Sequence, residues 1–412
     1  MIFLENCSLL VVFHIISSYN WEYEYKEIHL IGEKKVAKKR RYFDYSLLTI
    51  VIFLVCFGLV MLYSTSSYSA QIDFKGNSMY YVIRQGIFSI VGFALMLWVS
   101  KWDYHIFSKL AWLAYWGAFG LMALVRFTPL GVEINHARRW LRMPFNFTIQ
   151  PSELAKIAVI VLIPCLICKV GKHFKNMKVL GKIFLWGAAI AGGVYILTDN
   201  LSTAIIVLGI VCVMIFVAHK KTAIWLALAG GGLTAIGIGV WLLDAVMDTS
   251  ESFRLRRILV WLHPEEYLAD GGFQVMQGLY AIGSGGFFGK GLGNSAQKMV
   301  IPEAQNDMIL AVICEELGVF GAIVLLTMFG ILLYRLMFIA QNAPDMYGSL
   351  MVTGIFVHIA LQVVLNVAVV LNVIPTTGIT LPFISYGGTS MVFLLAEMGI
   401  ALSVSNRIEF DE

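Results

Sequence analysis

Residues 201–218 read LSTAIIVLGIVCVMIFVA, a run without a charge and with only two hydroxyl side chains, Ser202 and Thr203. As a helix such a run rises about 27 Å, close to the ~30 Å hydrocarbon thickness of a bilayer. Just before it, Thr198-Asp199-Asn200 separates it from a second apolar run, 179–198, which predicts a tight turn between two crossing helices. Working outward, similar blocks fall at about 46–68, 80–99, 106–125, 152–169, 221–243, 307–338, 347–371 and 385–406, making ten candidate spans in all. The chain is 59% hydrophobic and 14% charged, whereas a soluble domain carries roughly 25% charged residues to cover its surface. The expected fold is therefore an all-α polytopic membrane domain of ten helices over 46–406, preceded by a cytoplasmic segment, 1–45. One large loop, 244–306, falls between the seventh and eighth helices.

A net charge of +4 is too mild to indicate nucleic acid. The six cysteines are scattered, and the Cys165/Cys168 pair lies inside an apolar run with no second pair nearby. It reads as two small packing residues rather than a metal or redox site. Met1–Ser17 is apolar but short, is interrupted by Glu5, and lacks the basic start and small-residue cleavage site of a signal peptide. It reads as an interfacial segment or as a stretch upstream of the true start.

Lys34, Lys35 and Lys38-Lys39-Arg40-Arg41 precede the first span, which places the N-terminus in the cytoplasm by the positive-inside rule. Ten spans return the C-terminus to the same side. The lysines at 169, 172, 175, 178 and 182, with Lys220 and Lys221, then fall in cytoplasmic loops and agree. Two outer loops run against the bias: one holds Arg126, Arg138, Arg139 and Arg142, the other Arg254, Arg256, Arg257, Lys290 and Lys298. Either these pair with Glu133, Glu251, Glu265 and Glu266, or they serve an anionic ligand, for which phosphate suits arginine. The glycines of the long loop (Gly271-Gly272, Gly283, Gly285-Gly286, Gly289, Gly291, Gly293) turn the chain or expose amides to an anion, among short amphipathic or re-entrant helices.

Ionisable residues inside hydrocarbon are costly and default to functional candidates. Arg84 opens the second span. Glu153 and Lys156 sit on the first turn of the fourth, after Gln150-Pro151-Ser152. At i,i+3 they form a local salt bridge, or Lys156 points into a central cavity and holds a negative group. Asp307 falls where the long loop meets the eighth span. It is either a helix-start charge or, beside a substrate, a general base whose pKa partial burial raises. Glu315 and Glu316 lie deeper in that span and suit structure, one of them pairing with a basic group.

Several stretches, in order over roughly 44–407, resemble the SEDS family (shape, elongation, division and sporulation) of FtsW, RodA and SpoVE. They are Arg138-Arg139-Trp140, the run from Gln150 to Lys156, the run from Gly289 to Lys298, and Pro302-Glu303-Ala304. Further on come Glu315-Glu316-Leu317-Gly318, Pro375-Thr376-Thr377-Gly378 and Leu381-Pro382-Phe383-Ile384-Ser385-Tyr386-Gly387-Gly388. The form of Asn294-Ser295, Gln297-Lys298 and Pro-Thr-Thr-Gly is more similar to the FtsW and SpoVE branch than to RodA. The resemblance implies a peptidoglycan glycosyltransferase that polymerises lipid II at the outer face of the bacterial cytoplasmic membrane. It also implies an undecaprenyl pyrophosphate-linked glycan as second substrate, a class B penicillin-binding protein as partner, and a place in the divisome at the septum. The family's catalytic aspartate carries over to Asp307 and its cavity lysine to Lys156.

Glu153, Arg84, Arg138, Arg139, Gln297, Lys298 and Ser385 complete the expected substrate site, with a divalent cation (Mg or Mn) as an aid to the leaving pyrophosphate. The chain departs from the family's Pro-Glu-x-His-Thr-Asp-Phe at Gln305 and Asn306, so no role of that histidine transfers. The usual Pro-Asp-Leu-Gly-Thr turn reads Asp199-Asn200-Leu201-Ser202-Thr203. A lipid II flippase and a RodA-like elongation polymerase are the alternative functions, since intramembrane charges and broken helices suit transport as well.

Overall fold

The computed structural model describes residues 40–74, 76–134, 137–143, 147–171, 176–219 and 253–410. The N-terminal segment up to residue 39 and the span expected at 221–243 lie outside the described residues. Those residues are mostly helical: α1 (Tyr45–Asp73), α2 (Tyr80–Val99), α3 (His105–Phe127), α4 (Pro151–Val170), α5 (Met177–Thr198) and α6 (Leu201–Ala218) come first. Then follow α7 (Phe253–Leu262), α8 (Gly272–Gly285), α9 (Ile309–Asn342), α10 (Met346–Val370) and α11 (Thr389–Ser405). Of these α1, α2, α3, α5, α6, α9 and α10 are long and apolar enough to cross a membrane. Their outward faces stay apolar, as at Ile90 (73% exposed) and Leu113 (71%), which suits contact with lipid rather than water. The chain is a multi-pass helical membrane protein.

Local chemistry fixes the helix ends. Asp44 caps α1 by accepting from the Leu47 amide at 2.9 Å, Asn200 caps α6 through Thr203 at 3.1 Å, and Asp345 caps α10 through Gly348 at 2.7 Å. Pro151 opens α4, where its missing N–H costs nothing. The turn expected between the two adjacent spans is there: Asp199 adopts a left-handed φ of 49° between α5 and α6. Helix α4 is buried almost all round and packs on α3, α5, α6 and α10. It forms the centre of the bundle. Cys165, buried, and Cys168, half-buried, are free thiols within it.

One end of the bundle gathers the starts of α1, α3 and α10 and the end of α11. There Ser405 accepts from the Asp44 amide at 3.0 Å, Asp345 meets His105 at 2.6 Å, and Arg407 reaches Asp103 at 3.2 Å. A two-stranded ribbon, β1 (Arg40–Tyr42) with β5 (Ile408–Phe410), closes this end. The opposite end carries a three-stranded antiparallel sheet, β2 (Gly131–Ile134), β3 (Ala137–Met143) and β4 (Phe147–Ile149), between α3 and α4.

Two irregular segments shape that opposite end. Gly318, at φ 71°, breaks α9 into Ile309–Leu317 and Val319–Asn342. Ser64, which meets Glu316, lies roughly 28 Å along α1 from its start, and Asn366, which meets Asp307, roughly 30 Å along α10. The two ends of the first half of α9 therefore sit at similar distances from the helix starts, and this half-helix runs across the bundle. Helix α8 lies beside it. The second segment, 371–388, dips into the bundle before α11, where the Phe383 carbonyl packs on Gly58 of α1 so closely that a Cβ there would sit 2.4 Å from it.

Candidate active site at the Asp307 end

Asp307 lies on the turn just before α9, half-buried, between α8, α10 and the 371–388 segment. Gln274 of α8 donates to its Oδ1 at 3.3 Å. Asn366 of α10 donates to its backbone carbonyl at 2.9 Å. Burial pushes the Asp307 carboxyl up to about 6, and Glu303 adds to the rise while Arg257 opposes it. A carboxylate so placed is poised to accept a proton near neutral pH. Gln305, at the position of the family's histidine, is buried with its Oε1 unpartnered, and its carbonyl accepts from the Tyr386 amide at 2.9 Å.

Tyr386 ties this turn to α2. Gln85 accepts from the Gly388 amide at 3.0 Å and donates to the Ser385 carbonyl at 3.4 Å. Arg84 donates to the Tyr80 hydroxyl at 3.0 Å and stands 5.9 Å from the centre of the Phe147 ring. Burial pushes the Tyr386 phenol up to about 12 against the pull of Arg84. Gln85 and Tyr386 thus link the start of α2, through the 385–388 backbone, to the turn that carries Asp307. Ser385 itself is buried, and its Oγ accepts from the Leu381 amide at 2.8 Å. Its side chain shapes the dipping segment.

Arg138 donates to the carbonyls of Arg126, Thr128 and Gly131 at 3.2–3.4 Å, locking the base of the sheet. Arg126 pairs with Asp199 at 3.2 Å, and Arg139 donates to the Asp199 carbonyl at 3.3 Å. In these contacts the three arginines meet Asp199 and backbone oxygens. The family's acidic position in this turn is held by Asn200, which caps α6, and Asp199 places its carboxylate one residue earlier. Thr389 donates to the Thr148 carbonyl at 2.9 Å and so binds this sheet to the start of α11.

Lys156 meets Glu153 at 2.9 Å, at 2% and 10% exposure. The local i,i+3 salt bridge is present, and it occupies the lysine. Lys298 is likewise committed, to Glu316 at 3.1 Å and the Gly293 carbonyl at 2.7 Å, and is buried. There the buried, neutralised charge anchors the loop. Gln297 donates its backbone N–H to the Glu315 carboxylate at 3.2 Å, and its side-chain Oε1 is buried and unpartnered. The amides of Lys290 and Gly291 go to the Glu315 and Glu316 carbonyls, both at 2.9 Å. The loop glycines here turn the chain and leave those amides no anion to bind.

Gln274 and Asn366 went unmarked in the sequence because uncharged amides inside apolar helices carry no motif. Arg257 was visible only as one basic residue among many. It donates to the Thr376 carbonyl at 3.2 Å and acts electrostatically on Asp307. Among the described residues no group of three or more His, Cys, Asp or Glu side chains is placed to hold a metal ion.

Fold and site together define a multi-pass membrane protein with a half-buried carboxylate among arginines at one end of its bundle. The chain belongs to the FtsW, RodA and SpoVE family of cell cycle proteins, whose pattern matches residues 45–409. It is 36% identical over 377 residues to a probable peptidoglycan glycosyltransferase FtsW of Geobacter sp. (strain M18), covering 89% of this chain and 97% of that one. To stage V sporulation protein E of Bacillus subtilis it is 37% identical over 367 residues, covering 88% and 96%. Among solved structures it matches a chain of a peptidoglycan synthase complex with a TM-score of 0.72 at 28% identity, covering 89% and 98%. The rod shape determining protein RodA of Thermus thermophilus matches with 0.62 at 26%, covering 89% and 97%.

Proposed function

We propose that this chain is a peptidoglycan glycosyltransferase that polymerises lipid II at the outer face of the cytoplasmic membrane, for septal wall synthesis in cell division. The family membership and the named activity of its FtsW relatives support the reaction. The observation that carries the mechanism is the placing of Asp307, half-buried and held by Gln274 and Asn366 at the bundle end that also bears Arg84 and Arg257.

The 4-hydroxyl of one lipid II attacks the anomeric carbon of a lipid-linked chain. A C–O bond forms, the bond to undecaprenyl pyrophosphate breaks, and the hydroxyl proton passes to the Asp307 carboxylate. Arg84 and Arg257, with Arg139, supply positive charge for the departing pyrophosphate. Lys156 joins them only if its pair with Glu153 opens. A divalent cation would be held by the pyrophosphate and water and would add charge at the leaving oxygens.

The Asp307 end then faces outward, and the opposite end, with Asp44 and Arg407, faces the cytoplasm. A class B penicillin-binding protein is the proposed partner, supported by the likeness to a chain of a synthase complex. The test is purified protein with labelled lipid II, with and without that partner. Glycan polymer made by the wild type and lost in Asp307→Asn supports the reading. Normal polymer from Asp307→Asn, or lipid translocation in liposomes without polymer, overturns it.

A further inference from the structure

A catalytic carboxylate works only where the backbone that carries it is fixed. Asp307 lies outside the hydrogen-bonded part of α9, so its position depends on neighbours. Asn366, fully buried near the end of α10, divides its amide between two carbonyls: that of Asp307 at 2.9 Å and that of Ile379 at 2.8 Å. Of the two ends of an amide only the NH2 group donates to carbonyls, and turning the side chain over would set oxygen against oxygen. Its Oδ1 is buried and accepts nothing. The side chain has no other task.

The second carbonyl belongs to the dipping segment 371–388. Arg257 and Trp261 of α7 dock on that segment through the carbonyls of Thr376 at 3.2 Å and Asn372 at 2.9 Å. Ser202 of α6 grips the Thr377 carbonyl at 2.6 Å. One turn deeper on α10, Gln362 holds the Thr380 carbonyl at 3.1 Å without touching Asp307. Asn366 is thus the rung that ties the Asp307 turn to the segment, and Gln362 is a second rung that ties the segment alone.

We infer that Asn366 is a positioning residue for the general base, holding Asp307 in register with the 371–388 segment. This rests on the reading of Asp307 as the base. The charged groups that face Asp307 are Glu303 on its own turn and Arg257 from α7. Helix α8 presents the Gln274 amide and α10 presents Asn366 itself. Freeing the turn lets water reach the carboxylate, so the acid limb of the pH profile moves to lower pH while turnover falls.

The experiment uses the full chain with labelled lipid II. Asn366→Ala lowers kcat about 10- to 100-fold, the scale of an ångström misplacement, with KM changed less than about threefold and the acid limb shifted down. Asn366→Asp preserves the volume, sets a carboxylate oxygen against two carbonyls, and shows the same losses if the alanine variant fails to fold. Gln362→Ala leaves the acid limb where it was. An unchanged kcat and acid limb in a folded Asn366 variant overturns the inference, as does an equal shift in Gln362→Ala, which would mean general anchoring of the segment. Asp307→Asn run in parallel separates the two readings. If it stays active the base assignment fails; if it is dead while Asn366 variants are normal, only the positioning role fails.

Discussion

Lys298 reaches Glu316 at 3.1 Å with both side chains withdrawn from solvent, at 6% and 0% exposure. Ser64 of α1 donates to the same glutamate at 2.7 Å. The adjacent Glu315 takes Lys290 at 2.7 Å, but that lysine is 37% exposed. Two neighbouring glutamates on one half-helix therefore hold both lysines of the preceding loop, in unequal surroundings. Glu316→Ala leaves a buried charge uncompensated and should cost about 3–5 kcal/mol. Lys290→Ala removes a screened surface partner but leaves Glu315 several other donors, and should cost under about 1 kcal/mol. Thermal unfolding in detergent compares them, and equal losses would show that the buried pair is not the anchor.

The Asp307 carboxyl, raised from 3.8 to about 6, gives a pH dependence whose two signs differ. Polymerisation needs the carboxylate, so activity rises through about pH 6 and levels off above it. Stability runs the other way: a carboxyl raised on folding burdens the folded state once it ionises, a cost absent below pH 4 and complete above 6. Asp307→Asn should therefore lose about 10²- to 10⁴-fold in rate yet unfold no earlier than wild type at pH 7.5. Its advantage should vanish towards pH 4. An Asn variant that is less stable at neutral pH would mean that the ionised carboxylate holds the fold.

Lys156 and Glu153 form a buried pair at 2.9 Å, and single and double replacements separate its two readings. Lys156→Met alone leaves Glu153 buried and unpaired, and Glu153→Gln alone does the same to the lysine, each at several kcal/mol. The double replacement should recover most of that stability. Activity then decides. If Lys156 serves the substrate, the double variant is folded but impaired in lipid II use; full activity would confine the pair to structure.

The membrane fold was legible because an apolar run of helical length has few other uses, and runs such as 201–218 and 347–371 appear as α6 and α10 with bounds shifted by at most a residue. The depth at which charged groups sit was not legible. Lys298 and Arg138 look alike in sequence to a phosphate-binding residue, and only packing shows that one is buried against Glu316 and the other spends its fork on carbonyls. Asp307 was found through a motif, but its holders were not. Gln274 and Asn366 are distant in sequence and bear no charge, so nothing short of the folded register brings them to it.

Gly318 offers a test of the half-helix itself. Its φ of 71° is one that side-chain-bearing residues rarely adopt, and a Cβ there would stand 2.3 Å from the Phe287 carbonyl oxygen and 2.4 Å from the Gly289 amide nitrogen. Both obstacles are backbone, so no rotamer relieves them. Gly318→Ala should cost at least about 1–3 kcal/mol in strain and swing Ile309–Leu317, which carries Asp307 just ahead of its start. Polymer synthesis should fall more than stability does. Gly330, further along the same helix, has open space around its Cβ position. Gly330→Ala should be neutral or gain up to about 1 kcal/mol from helix propensity. If the two alanine variants behave alike in unfolding and in polymer yield, the break at Gly318 is incidental; if only the first loses activity, the angle of the half-helix sets the position of the base.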